Sequence, residues 1–231
     1  MVANLFRPLL RFDVAPHRLS GVVVGALLND PAELAALGDA VHQPPYKAPP
    51  QAPVLVVRPR NTFAGEGDTI AVPAGGATVG VTLGIVIGGM ACRVEARVAM
   101  GHVAGWVVVA DLSLPLASHY RPAARFKARD GFCPIGAHVV SRSALPNADA
   151  LAMTVTIDGR VAQVTTTAGR IRGVSQLIAD VSEFMTLRDG DLLLLGASHG
   201  APLAQAGQHV ALGIEGVGCL SFSLGAEEGA A

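Results

Sequence analysis

The sequence predicts a β-rich α+β domain with few, peripheral helices, and three observations support this prediction. Short runs of aliphatic and β-branched residues outnumber the segments with helical periodicity. The 27 glycines and 15 prolines are spread along the whole chain, as expected where turns join many short strands. With 51% hydrophobic residues, the chain can bury a sizeable core. No internal repeat or low-complexity linker divides it, so residues 20–231 are predicted to form one domain after an N-terminal extension over residues 1–19.

The predicted strands are short apolar runs that end at polar or turn-forming residues. Residues 79–87 are apolar on both faces, which is typical of a central strand. Another buried strand is predicted over residues 106–110 and is expected to stop at Asp111. Asp158-Gly159 is a two-residue hairpin signal between two strands within residues 151–164. Further strands are predicted over residues 21–28, 54–57, 192–195, 209–214 and 218–222.

Helical patterns are fewer. Asp30-Pro31 followed by Glu33 predicts a helix start, because it combines a capping carboxylate, a proline in the first turn and a glutamate three residues after the cap. Residues 174–185 form the best amphipathic pattern. A helix is also predicted over residues 94–104, where charged and apolar residues alternate in a helical manner. Between these segments, five prolines within residues 42–53 exclude regular structure.

Composition and charge exclude several classes of partner. A formal net charge of −1 gives no electrostatic reason to bind nucleic acid or an anionic membrane. The apolar part of the longest charge-free run, residues 79–91, is shorter than the roughly 20 residues that a membrane-spanning helix needs. Cys92, Cys133 and Cys219 form no CxxC pair, which favours free, buried thiols and a cytoplasmic location, with a nucleophilic Cys133 as the alternative.

The most informative segment is residues 120–136, where charge is concentrated in an otherwise apolar chain. Arg121, Arg125, Lys127, Arg129 and Asp130 lie within ten residues. One interpretation is a solvated loop. The other is a cradle for a small, multiply anionic substrate, because arginine and lysine side chains bind carboxylates.

Several segments together resemble the fumarylacetoacetate hydrolase superfamily, in the order of that family and over nearly all of residues 20–224. They are KAPPQAPVLVVRPRNTFAG (47–65), VTLGIVIGG (81–89), VAGWVVVADLSLP (103–115), YRPAARFKARDGFCPIG (120–136), IDGR (157–160) and LIADVSEFMTLRDGDLLLLG (177–196). A narrower resemblance, carried by YKAPP, PRNTFAG, DLSLP, YRPA and RDGFCPIG, is to the N-terminal half or separate first subunit of the bifunctional isomerase/decarboxylases of bacterial 4-hydroxyphenylacetate (homoprotocatechuate) breakdown.

This resemblance implies a β-roll of mixed sheets and a class of substrate. The substrates are small unsaturated oxo acids with two or three carboxylates, such as 5-carboxymethyl-2-hydroxymuconate or 5-oxopent-3-ene-1,2,5-tricarboxylate. In metal-bearing relatives, Mg²⁺ or Mn²⁺ chelates the 2-oxo carboxylate and stabilises an enolate.

This chain departs from the family pattern mainly at the positions of the metal ligands. The resemblance places Gly80 and Thr82 where active relatives carry a Glu-x-Glu pair, and leaves Asp111 as the matching third ligand. A hard divalent cation needs several oxygen ligands, so no metal site is predicted in this chain. The alternative role of Asp111 is a turn or cap at the end of a strand.

The resemblance also assigns possible site residues. Lys127 matches the family's active-site lysine, with an ion pair to Asp130 as the alternative; Arg58 stands where a lysine is common and is expected to form ion pairs. His119 is the histidine best placed to act as an acid or base.

The remaining site predictions concern anion binding and proton transfer. Arg121, Arg129 and Asp130 are candidates for substrate binding, the two arginines alternatively forming subunit-interface ion pairs. Ser198 stands near the place of a carboxylate-binding threonine. Glu33 occupies one place of the family's proton-transferring pair, although helix capping explains it equally well.

Two functions follow from these predictions. The first is an isomerase/decarboxylase subunit, acting in metal-free tautomerisation or beside a metal-bearing partner. The second is a degenerate, non-catalytic partner that stabilises a metal-bearing paralogue. The high apolar fraction predicts an oligomer in either case, formed with copies of this chain or with the paralogue.

Overall fold

The computed structural model describes residues 11–13, 15, 18–20, 22–116, 118–119 and 123–227. Within these residues the fold consists of mixed sheets with few, short helices, which confirms the predicted fold class. The strands are β1 (Val23–Leu27), β2 (Val54–Arg58), β3 (Phe63–Ala64), β4 (Thr69–Val72), β5 (Ala77–Ile87), β6 (Val103–Ser113), β7 (Cys133–Pro134), β8 (Val140–Ser141), β9 (Ala152–Ile157), β10 (Arg160–Thr166), β11 (Leu192–Leu194), β12 (Leu203–Ala204), β13 (His209–Ile214) and β14 (Gly218–Ala226). The helices are α1 (Pro31–Ala35), α2 (Ala96–Ala99), α3 (Ala124–Lys127) and α4 (Val174–Ser182), with 3-10 turns at Gly38–His42, Arg60–Thr62 and Met100–His102.

Three sheets make up the described fold. The largest has the strand order β2-β1-β11-β5-β6-β8, with β12 also paired to β5. A five-stranded sheet has the order β10-β9-β13-β14-β4, and β3 pairs with β7. Most pairs are antiparallel, but β1 with β11, β14 with β4 and β3 with β7 are parallel. Strand β5 lies inside the large sheet, as predicted from its two apolar faces.

The centre of the large sheet is buried on both faces, because β5 and β6 send alternate residues into two cores. On one face, Leu83 and Trp106 pack with residues of the five-stranded sheet and of α4. On the other face, Val86 and Val107 pack with β11 and with the segment around Ile135. This double burial explains why both strands read as continuous apolar runs.

Other local predictions are confirmed or need correction. Asp30 caps α1, its Oδ1 accepting from the Ala32 amide at 2.9 Å, as predicted. The Asp158-Gly159 turn joins β9 and β10, also as predicted. The predicted helix over residues 94–104 is wrong beyond its first turns, because β6 already begins at the β-branched Val103. Of the three cysteines predicted to be buried, Cys133 is buried, but Cys92 and Cys219 are exposed.

The prediction that a strand would stop at Asp111 is also wrong. Strand β6 continues to Ser113, and Asp111 pairs in register with Gly80 of β5. Asp111 is therefore neither a turn residue nor a cap. A charged residue can remain inside this buried strand because cationic side chains neutralise it, as described below. Among the described residues, no helix is long and apolar enough to cross a membrane.

Candidate active site

Three charged side chains meet where β6 leaves the large sheet. Lys127 Nζ lies 2.9 Å from each carboxylate oxygen of Asp111, and the Arg58 guanidinium forms a second ion pair with Asp111. The side chains of Lys127 and Asp111 are 8% and 7% exposed, and that of Arg58 is fully buried. Buried charges are stable only when they are paired and hydrogen-bonded. The expected ion pair of Arg58 is thus present, whereas the alternative pairing of Lys127 with Asp130 is wrong.

Arg58 also holds the backbone around this cluster together. It is the last residue of β2, and its guanidinium donates hydrogen bonds to the backbone oxygens of Leu112 and Lys127. The guanidinium therefore joins β2, β6 and α3. Burial lowers the pKa of Arg58, but an arginine has such a high ordinary pKa that it stays charged.

Lys127 is placed by the short helix α3, whose last residue it is. Burial is the largest cause of a lowered pKa of Lys127; the Arg58 guanidinium also lowers it and the Glu33 carboxylate raises it, and the resulting pKa is about 7. An ammonium has three N–H donors. Two of them can be donated to the two oxygens of Asp111, which leaves the third for another acceptor.

Glu33 and His119 form a pair beside this cluster. Glu33 Oε1 lies 3.8 Å from His119 Nε2, and the side chains are 23% and 14% exposed. The second oxygen of Glu33, Oε2, accepts a hydrogen bond from the Leu28 amide at 2.9 Å. One oxygen of Glu33 therefore holds the backbone that precedes α1, and the other faces His119; the capping side chain of α1 is that of Asp30.

The ionisation of this pair is shifted by its surroundings. Burial raises the pKa of Glu33 above its ordinary value, although the Leu28 amide and Lys127 lower it. Burial also lowers the pKa of His119, and the nearby Lys127 lowers it further. His119 is therefore a neutral imidazole at pH 7. Its Nδ1 is buried and has no hydrogen-bond partner among the described residues.

A further buried cation, Arg170, lies on the other side of Glu33. Its side chain is 2% exposed, and Nη1 lies 3.4 Å from Asp30 Oδ2. Its Nη2 donates to Ser198 Oγ at 2.6 Å. Asp30 Oδ2 also accepts from the His199 amide at 2.9 Å. Asp30 and Arg170 therefore hold α1, which carries Glu33, against the turn that carries Ser198.

The sequence did not identify Arg170 as a site residue, because a single arginine in a loop gives no signal of its partners. Arg170 interacts electrostatically with the site. Burial lowers the pKa of Arg170, whereas the nearby carboxylates of Asp30 and Glu33 raise it. Ser198, which the sequence did identify, is buried at this place.

The other residues predicted to bind the substrate, Arg121, Arg129 and Asp130, have different surroundings. Arg129 forms an ion pair with Glu227 and lies over the Phe132 ring, 5.7 Å from its centroid. Asp130 is exposed and accepts from Asn61 Nδ2 at 2.8 Å. None of these contacts connects Arg129 or Asp130 to Lys127 or Glu33. Arg121 lies outside the described residues.

The residues around Asp111 do not fit a divalent cation. A Cβ atom added to Gly80 would lie 2.5 Å from Ala197 Cβ, so the space of one family glutamate is filled. The hydroxyl of Thr82, at the second glutamate position, accepts from the Gly196 amide at 3.0 Å. Both oxygens of Asp111 contact cationic side chains. Among the described residues, no three His, Cys, Asp or Glu side chains form a possible metal site.

The contact between Gly80 and Ala197 gives a testable prediction. Gly80→Ala is expected to lower the free energy of unfolding by about 1–3 kcal/mol, the usual penalty for overpacking a core. Ala197→Gly in the same chain removes the opposing methyl group and is expected to recover most of this loss. Urea unfolding of the two single variants and the double variant measures the coupling. Additive effects of the two substitutions would contradict the proposed contact.

Comparison with known proteins agrees with this geometry. The family model described as fumarylacetoacetate (FAA) hydrolase, C-terminal, matches residues 22–224. A 4-hydroxyphenylacetate degradation bifunctional isomerase/decarboxylase from Escherichia coli is 40% identical over 199 residues, which cover 86% of this chain and 46% of the relative. The chain thus spans about half the length of this curated relative.

Two solved structures illustrate the shared fold. A 2-hydroxyhepta-2,4-diene-1,7-dioate isomerase from Mycobacterium marinum superposes with a TM-score of 0.76 at 26% identity, over 91% of this chain and 77% of that one. A fumarylpyruvate hydrolase from Pseudomonas aeruginosa, in complex with Mn²⁺ and pyruvate, gives a TM-score of 0.79 at 22% identity, over 97% of this chain and 100% of that one, which shows the fold alone. From the family match, the identity to the isomerase/decarboxylase and the shared fold, we conclude that the chain belongs to the fumarylacetoacetate hydrolase family.

Proposed function

We propose that this chain catalyses a metal-independent proton shift in a small 2-oxo acid, as an isomerase subunit of 4-hydroxyphenylacetate catabolism. The observation that carries the proposal is the Glu33–His119 pair, which two distant segments of the chain bring together beside Lys127. A carboxylate and an imidazole at this separation form a plausible acid/base pair, because catalytic contacts are often long before the substrate binds. The identity of the relatives supports the choice of substrate class.

Each residue of the site has a separate role in the proposed reaction. Glu33 Oε1 acts as the base that removes a proton from the enol or from the adjacent carbon. The third N–H of Lys127 donates to the oxygen that gains negative charge, which stabilises the enolate. The newly protonated Glu33 returns this proton at the other end of the conjugated system, either directly or by passing it to His119, so that the net charge does not change. Arg170 and Ser198 bind a carboxylate remote from the reacting atoms.

An assay of the purified chain tests this function. The substrates are 5-carboxymethyl-2-hydroxymuconate and 5-oxopent-3-ene-1,2,5-tricarboxylate, each followed by ultraviolet absorbance with EDTA and with added Mg²⁺. We expect isomerisation of the first substrate at the same rate in both conditions. Decarboxylation of the second would extend the proposal to the lyase step. Absence of turnover of both substrates in both conditions would refute it.

A specific observation favours a second function. The places of two metal ligands are filled by Gly80, packed on Ala197, and by Thr82, bonded to Gly196. A chain that has lost these ligands can serve as a non-catalytic partner that stabilises a paralogue with an intact Glu-x-Glu pair. Co-expression and co-purification with such a paralogue would favour this function. A homo-oligomer that is active without it would exclude the partner role.

Both functions are compatible with an oligomer, which we propose on the basis of exposed apolar side chains. Val161 and Val164 lie on β10, an edge strand of the five-stranded sheet, and are 64% and 69% exposed. Such exposed apolar residues on an open edge are unusual in a monomer. Light scattering should therefore give a mass of at least twice the chain mass of 23.6 kDa. A monomer over a range of protein concentrations would contradict this prediction.

A further inference from the structure

We propose that Arg58 replaces the divalent cation of this site, so that the chain binds the carboxylate of a 2-oxo acid through Lys127 without a metal ion. This inference rests on the proposed substrate class, but not on turnover. The role of Arg58 is inferred from its position, because its guanidinium contacts Asp111, the residue that matches the third metal ligand of the family.

The carboxylate of Asp111 is already occupied by two cationic side chains. Lys127 Nζ contacts both carboxylate oxygens, and the Arg58 guanidinium contacts Oδ1. A metal ion at this carboxylate would have to displace at least one of the two cationic side chains. It would gain few ligands in return, because neither Gly80 nor Thr82 can supply a carboxylate.

The cluster also carries a net charge. With Lys127 in its ammonium form, Arg58 and Lys127 contribute two positive charges and Asp111 one negative charge, so the three side chains together carry +1. Without Arg58, the pair of Lys127 and Asp111 would be neutral and would attract an anion weakly. The charged groups that face Lys127 from other elements are Arg58 on β2 and Glu33 on α1, with the Cys133 thiol of β7 behind them.

The depth of Arg58 decides how it acts. Its side chain is fully buried, so it cannot itself contact a ligand that reaches Lys127. It instead donates to the backbone oxygens of Leu112 and Lys127, and thereby sets the position of Lys127 relative to Asp111. Arg58 is therefore a positioning residue. Lys127, with its unused third donor, is the residue that contacts the carboxylate.

Calorimetric titration with 2-oxoglutarate tests this inference. We expect the same Kd for the native chain in EDTA and in Mn²⁺. Arg58→Met should raise the Kd about tenfold or more, because it removes a buried, charge-assisted contact network. Arg58→Lys keeps a positive charge but loses guanidinium contacts to the backbone, so its Kd should lie between those of the native chain and Arg58→Met. The matched control is Arg60→Met, which removes an exposed arginine two residues away and should leave the Kd unchanged.

A second measurement does not depend on the variants. Electron paramagnetic resonance detects free Mn²⁺ directly, and the native chain should leave its signal intensity unchanged. Loss of this signal at micromolar protein, or binding of 2-oxoglutarate only when Mn²⁺ is present, would overturn the inference. If Arg58→Met does not fold, Arg58→Lys and the native chain still distinguish metal-independent from metal-dependent binding of 2-oxoglutarate. Metal-independent binding without turnover would contradict the proposed enzymatic function but support the role of Arg58.

Discussion

Replacement of Glu33 by glutamine is expected to lower kcat of the proposed isomerisation by about 10²–10⁴-fold, the usual contribution of a positioned general acid or base. Glutamine keeps the amide oxygen that can accept from the Leu28 amide, so the first turn of α1 should remain intact. It cannot accept a proton at Oε1, the atom that faces His119. KM should change little, because the anion-binding residues remain.

The pH dependence of this variant gives a second readout. A base acts in its ionised form, so kcat/KM of the native chain should rise as the pH passes through the pKa of Glu33. Burial raises this pKa, and the rising limb should therefore lie above the ordinary range of a glutamate. Glu33→Gln should remove the limb. Glu95→Gln, at an exposed position, is the matched control; a full retention of activity in Glu33→Gln would assign the base to another residue.

Replacement of Asp111 by asparagine is expected to have the largest effect on stability. It leaves Arg58 and Lys127 buried beside each other without the carboxylate that neutralises them. Removal of one partner from a buried ion pair typically lowers the free energy of unfolding by ~3–5 kcal/mol. Urea unfolding followed by circular dichroism measures this change through the shift of the transition midpoint.

The control for this experiment is Asp130→Asn. Asp130 lies in the same segment as Lys127, but it is exposed and contacts Asn61. Its substitution should change the free energy of unfolding by less than about 1 kcal/mol, as is usual for surface charges. Equal effects of the two substitutions would mean that the contacts of Asp111 do not stabilise the fold.

The sequence predicted the elements that depend on local patterns. The burial of β5, the cap of α1 by Asp30 and the β9–β10 hairpin are each specified by neighbouring residues, and all three are confirmed. The end of β6 was not predictable in this way. Asp111 looks like a strand terminator until Arg58 and Lys127, which are distant in the sequence, are known to neutralise it.

The candidate site was predictable only in part, for the same reason. The resemblance of residues 120–136 to the family identified Lys127, and the family pattern drew attention to Glu33. The contact between Glu33 and His119, and the placement of Arg170 against Asp30 and Ser198, depend on how the sheets bring distant loops together. Charge density alone pointed equally to Arg129, which instead pairs with Glu227.

The packing of Gly80 on Ala197 has an evolutionary consequence. To acquire carboxylate ligands at positions 80 and 82, a lineage would have to change both strand positions, shrink residue 197 and withdraw the guanidinium of Arg58. Each of these mutations taken first would weaken the fold before any ion could compensate for the loss. Selection would therefore tend to preserve the present cluster of Asp111, Arg58 and Lys127, and descendants of this chain should diversify in their anion contacts rather than acquire metal ligands.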